Sequence, residues 1–226
     1  MNYQFMKIKK IFIAAETLIV FLISFGVVVF APYLLRQIKS GLLIISIRPM
    51  LYVVLAVVPI IAGKITGYSM EPVIFKKENL KGQAIAGLKI FASTAVVLTL
   101  ASLLSGENRR FLIGPKVVNM YQFIYNTLFF MLFVGTGEEI LFRGYFLERF
   151  YFLCGSKAWS VILSSATFGL WHFPGGQDFM QVILTALLGA YYGFSYYRVK
   201  DCSVMSLAMA HGLYDIFIMV LGRILL

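Results

Sequence analysis

The chain has 226 residues, 60% of them hydrophobic and only 13% charged, with a mean hydropathy of +0.86. Soluble domains run near one half apolar and one quarter charged. Here long apolar runs recur from end to end, which excludes a soluble globular domain and predicts a polytopic membrane protein. The formal net charge of +10 sits in short connecting segments, as membrane orientation requires. No nucleic-acid partner is therefore expected.

In chain order, a basic tail leads into a long apolar run. That run exceeds the short apolar region of a signal peptide and shows no convincing cleavage site, so it reads as an uncleaved first span. Seven candidate spans follow from hydropathy, at 11–34, 42–62, 84–104, 117–150, 158–174, 179–197 and 203–224. Each approaches the ~20 residues a helix needs to cross the hydrocarbon. The expected fold is an all-α transmembrane bundle of about seven spans, with six to eight compatible, around a polar cavity within the membrane. Residues 1–116 read as an N-terminal three-span region and 117–226 as the core, together one integrated membrane domain.

The fourth segment is too long for a simple crossing. It starts with an interfacial piece, breaks near Gly135 and Gly137, or extends beyond the bilayer. The most polar connector is 63–83.

With the N-terminus cytoplasmic, twelve Lys and Arg lie in cytoplasmic segments, including Lys76 and Lys77. Seven lie outside, including Arg48, Arg109, Arg110 and Lys116, and Lys89 falls in a span. This favours N-in. Cys154 and Cys202 then fall in cytoplasmic connectors, form no CxxC and stay reduced.

The polar residues inside spans carry the chemistry. The chain's two histidines, His172 in FGLWH and His211 in HGLYD, both lie within spans. Asp215 follows His211 by four residues, on the same helix face. Glu139 and Arg143 share that spacing and can neutralise each other. Glu138, ~100° around the helix, points elsewhere and has no such local partner.

At about 1.5 Å per residue, Glu138, His172, His211 and Asp215 lie about 12–21 Å from the cytoplasmic ends of their spans, in one layer. Ionisable groups there cost about 2.5–3.5 kcal/mol each on insertion scales. A single polar contact returns less, about 0.6–2 kcal/mol. They are tolerable when they face one another or a wet cavity, which is the setting general acid–base catalysis needs. By contrast Glu16 has no evident partner and reads as interfacial. Glu148, Asp178 and Asp201 read as solvated span-end groups.

EEILFR at 138–143, FGLWH at 168–172 and HGLYD at 211–215 resemble, in order, the EExxxR, FxxxH and HxxxN/D motifs of the CPBP family, also called Abi or CAAX-protease-like proteins. The resemblance covers about residues 117–226. It implies an intramembrane endopeptidase of the cell membrane, acting on a membrane-associated peptide or protein in contact with the lipid bilayer. Relatives cut prenylated CAAX proteins or are linked to bacteriocin processing and immunity.

Carried over, Glu138 would be the general base and His172 would hold and polarise the water. His211 and Asp215 would serve the oxyanion or the scissile carbonyl, supported by Glu139, Arg143 and Phe168. Where relatives often carry Asn, this chain has Asp215. An ionised Asp only accepts hydrogen bonds, so Asp215 is either protonated in the low-dielectric site or, as the favoured reading has it, accepts from His211 and orients it. No cofactor is expected. Zinc on Glu138, His172, His211 and Asp215 is the alternative, since all four are acceptable donors by type. Gly135 and Gly137 read as loosening the helix or admitting a substrate backbone. The competing functions are a non-catalytic immunity or scaffold protein, and a transporter or proton relay. Paired broken spans in matching halves, which would favour the last, are absent.

Overall fold

The computed structural model describes residues 3–74, 78–105 and 117–225. Lys76, Lys77, Arg109, Arg110 and Lys116, used in the charge count, lie outside them. The described residues form an all-α, multi-pass membrane protein. Seven long helices fall on the seven expected segments: α1 (Tyr3–Gln37), α2 (Gly41–Ile65), α4 (Leu80–Ser105), α5 (residues 120–154), α6 (Lys157–Gly176), α7 (Phe179–Arg198) and α8 (Val204–Leu225). A short α3 (Glu71–Ile74) lies in the polar connector.

The helix ends follow from local chemistry. Ser40, Asn119, Ser156 and Asp178 each hold extended backbone at an N-cap and accept from an amide of the first turn. Asp178, expected as a solvated group, thus starts α7. Gly155 closes α5 in the left-handed region, at φ 68°, which glycine adopts without a Cβ clash.

By length and apolarity alone, α1, α2, α4 and α8 qualify as membrane-crossing. Their outward faces carry Phe12, Leu22, Phe30, Leu42, Val97 and Leu100, all exposed and suited to lipid. The densest core instead surrounds the second half of α5. There Leu141, Phe142, Tyr145 and Phe146 are buried against Val20 of α1, Leu55 of α2 and Phe168 and Trp171 of α6.

Of the three readings of the over-long fourth span, the break does not occur. α5 runs unbroken through Gly135 and Gly137, whose neighbours keep right-handed helical backbone. It widens instead into two π-helical stretches, Phe130–Val134 and Ile140–Phe146, on either side of Gly135–Glu139. Their wider bonds run from Gly135 N–H to Phe130 C=O and from Leu147 N–H to Phe142 C=O. Ser164 of α6 also donates to Phe142 C=O at 3.0 Å. Such π turns occur often at functional sites.

The two glycines admit neighbouring helices, not a substrate. A Cβ on Gly135 would stand 2.4 Å from Ala208 O of α8, and one on Gly137 would stand 2.9 Å from Tyr52 O of α2. Backbone contact at both points presses α8 and α2 against the Glu138 turn.

Glu16 is also not interfacial. It is nearly buried and accepts from Arg149 Nη2 at 2.7 and 3.0 Å and from Tyr145 Oη at 2.9 Å. Arg149 donates further to Thr66 Oγ1 at 2.6 Å. This network ties α1 and the end of α2 to α5. Trp171 adds a second tie, donating to Ser24 O of α1 at 3.2 Å.

Candidate active site

Three helices bring the expected polar residues together. α5 supplies Glu138, Glu139 and Arg143, α6 supplies His172, and α8 supplies His211 and Asp215. Glu138, Glu139, Arg143 and His211 are all buried.

The adjacent glutamates have separate surroundings, as their angular offset on the helix requires. Glu139 Oε1 accepts from Arg143 Nη1 at 2.7 Å and from His211 Nδ1 at 2.8 Å. Arg143 is itself held tightly. It donates to Gly189 O of α7 at 3.1 Å, and its guanidinium lies 4.6 Å from the Phe168 ring centroid and 5.3 Å from that of Tyr192. A buried charge so surrounded is tolerable because its hydrogen bonds and its counter-charge are met within the protein.

Among the described residues, Glu139 Oε2 and Glu138 Oε2 are both buried without a hydrogen-bond partner, but Glu138 lacks the arginine that pairs with its neighbour. Two imidazoles face Glu138. His172 Nε2 lies at 3.6 Å and His211 Nε2 at 3.8 Å. These separations exceed a direct hydrogen bond, and they suit a small polar group held between the three side chains.

The ring tautomers follow from the partners. Phe168 C=O lies 2.8 Å from His172 Nδ1 and can only accept, so that nitrogen donates and Nε2 faces Glu138. The Arg143-paired carboxylate of Glu139 likewise accepts from His211 Nδ1 and turns Nε2 toward Glu138. Phe168 thus contributes its carbonyl to His172 and its ring edge-on to both histidines, at 4.5 Å from His172 and 6.2 Å from His211.

Asp215 does not orient His211 as expected. Its Oδ2 stands 3.8 Å from Nε2, and the orienting hydrogen bond belongs to Glu139. The sequence spacing showed that Asp215 and His211 share a face, but not that Glu139 crosses to the same ring from another helix.

Two cavities flank this cluster. One, of about 370 Å³, lies among α4, α6, α7 and α8 and exposes His172, His211 and Asp215. The other, of about 290 Å³, lies between α1 and α2 and exposes Glu138 and His172. His172 and Gln181 border both. The second cavity brings in residues the sequence reading did not single out, chiefly Arg48 and Tyr52 of α2. Their one signal was a polar pair at i, i+4 in an otherwise apolar helix.

Zinc is compatible with these side chains by type, but among the described residues no three His, Cys, Asp or Glu form a group able to hold a metal ion.

A family model described as Rce1-like, type II CAAX prenyl endopeptidase Rce1-like, matches residues 120–217. The matched stretch contains Glu138, Glu139, Arg143, Phe168, His172, His211 and Asp215. No curated protein and no solved structure matches the chain.

Proposed function

We propose, from the match of residues 120–217 to the Rce1-like CAAX endopeptidase model and the resemblance of the three motifs to the CPBP family, a glutamate-based peptide hydrolysis within the membrane. The substrate is a membrane-associated peptide or protein. One observation carries the mechanism: Glu138 Oε2, without a hydrogen bond among the described residues, faces two imidazole Nε2 atoms, while Glu139 Oε1 is taken up by Arg143 and His211.

Glu138 takes a proton from the attacking water, which forms its new bond to the scissile carbonyl carbon. His172 Nε2, an acceptor in this tautomer, holds the water's second hydrogen. His211 donates to Glu139 through Nδ1. With a proton also on Nε2, it presents an N–H to the developing oxyanion, a contribution worth up to about 3–4 kcal/mol. Collapse of the tetrahedral intermediate breaks the C–N bond, and the proton held by Glu138 passes to the leaving amine. Glu139 and Arg143 are positioning residues, since they act through His211 and the α5 backbone. Asp215 lines the cavity beside His211 and sets the field there.

Hydrolysis in H₂¹⁸O tests the reaction type. Purified protein in liposomes, given an apolar fluorogenic peptide, should yield one product with a single ¹⁸O in its new carboxyl group. Recovery of only intact peptide across a panel of membrane-inserting sequences would count against a peptidase.

A further inference from the structure

α2 carries two polar side chains that the reaction above does not use. Arg48 and Tyr52 lie four residues apart, so they share one face of the helix. Arg48, placed in an outer segment by the charge count, sits within α2 and lines the cavity of about 290 Å³ that also exposes Glu138.

Both side chains are held by one ring of α5. The Arg48 guanidinium lies 4.6 Å from the Phe129 centroid, and the Tyr52 ring meets the same ring edge-on at 5.3 Å. The backbone is pinned at the same level. Pro49 lacks the N–H that would bond Ile45 C=O, and Tyr125 Oη of α5 donates to that carbonyl instead, at 3.0 Å. Tyr52 and Glu138 line the same cavity.

Among the described residues, no carboxylate pairs with Arg48. A partly buried guanidinium in a largely apolar wall has five donors in a fixed fork that suits a carboxylate. Val27, Val28, Leu51 and Leu55 supply that apolar wall. The volume is near the lower end of small-ligand sites, ~300 Å³, and admits a short piece of extended peptide rather than a helix.

We infer that this cavity is a substrate subsite in which Arg48 holds a carboxylate of the peptide while the scissile bond lies beyond Tyr52 at Glu138. The inference rests on the peptidase reading and makes Arg48 a specificity-determining residue. A peptide is favoured over a lipid because the cavity's inner wall is Glu138 and His172, the groups that must meet the scissile bond.

The test reads binding in the full chain carrying Glu138→Gln, in zwitterionic-lipid nanodiscs. Two pairs of labelled apolar peptides are titrated by fluorescence anisotropy. One pair differs only in a C-terminal carboxylate or carboxamide, the other only in an internal Asp or Asn. At least one acidic peptide should bind about tenfold or more tightly than its neutral twin, as a charge-assisted hydrogen bond implies.

Arg48→Gln should erase that ratio without changing the neutral twin's affinity, and Arg48→Lys should restore part of it. A response in the first pair identifies a terminal carboxylate, and in the second an acidic side chain; either supports the inference. Equal binding of both twins in both pairs overturns it, as does a ratio that survives Arg48→Gln. Arg48-dependent retention of anionic lipid, without peptide discrimination, assigns the cavity to lipid and also overturns it. Since the readout is binding, a failure of wild-type cleavage would count against the hydrolytic reading and leave this result interpretable.

Discussion

Glu139 of α5 reaches His211 of α8, its Oε1 accepting from Nδ1 at 2.8 Å, while the same oxygen takes Arg143 Nη1 at 2.7 Å. One carboxylate oxygen therefore couples the arginine that anchors the site to the ring that faces Glu138. Removing Arg143 leaves that carboxylate buried without its counter-charge. Arg143→Ala should lose about 3–5 kcal/mol of stability, the usual cost of breaking a buried pair. Thermal unfolding in detergent checks it. A melting temperature equal to wild type would show that the pair does not hold the site.

Asp215 and Glu139 divide the support of His211 unequally. Asp215 Oδ2 stands 3.8 Å from His211 Nε2 and makes no hydrogen bond to it. Asp215→Asn should keep kcat within about tenfold, whereas His211→Ala should lower it by about 10²–10³, the usual cost of an oxyanion donor. Steady-state kinetics on one peptide compares the two. Equal, large losses would mean that Asp215 orients the ring after all.

Close helix approach at Gly135 gives a folding prediction. Its Cβ would meet backbone, Ala208 O at 2.4 Å and Gly212 N at 2.9 Å, and backbone cannot swing aside. Gly135→Ala should destabilise by about 1–3 kcal/mol, as overpacking does. Gly26→Ala, where nothing lies within 4 Å, is the control. It should be neutral or slightly stabilising in the same assay, because alanine is the better helix former.

The tie between Glu16 and Arg149 makes α1 part of the core. Glu16→Leu strands Arg149, itself nearly buried, without its carboxylate. The expected loss is about 3–5 kcal/mol, read as earlier proteolysis between α1 and α2. A variant as resistant as wild type would show that α1 docks through apolar contacts alone.

Much of this was legible before the structure. Apolar runs gave all seven helices, because the hydrocarbon's thickness dictates their length. The i, i+4 spacing separated Glu139, paired with Arg143, from Glu138, whose Oε2 has no hydrogen bond among the described residues. What the spacing could not convey was contact between helices distant in sequence. Glu16 looked isolated because Arg149 is 133 residues away, and Glu139's second partner lies 72 residues on. Arg48 read as a loop charge because charge counting places cations at span ends. The π turns of α5 had no clear signal, since they arise from packing α2, α6 and α8 around one crowded helix.

The central claim is that Glu138, and not its neighbour, activates water. The most direct measurement compares wild type with the isosteric Glu138→Gln in liposomes, on a peptide the wild type cuts, with products followed by mass spectrometry. Glu138→Gln should fold with an unchanged melting temperature or a higher one, since it removes a buried charge whose Oε2 has no hydrogen bond among the described residues, and should lose cleavage by about 10²–10⁴, the usual contribution of a general base. A correctly folded Glu138→Gln that cleaves at the wild-type rate would contradict the account.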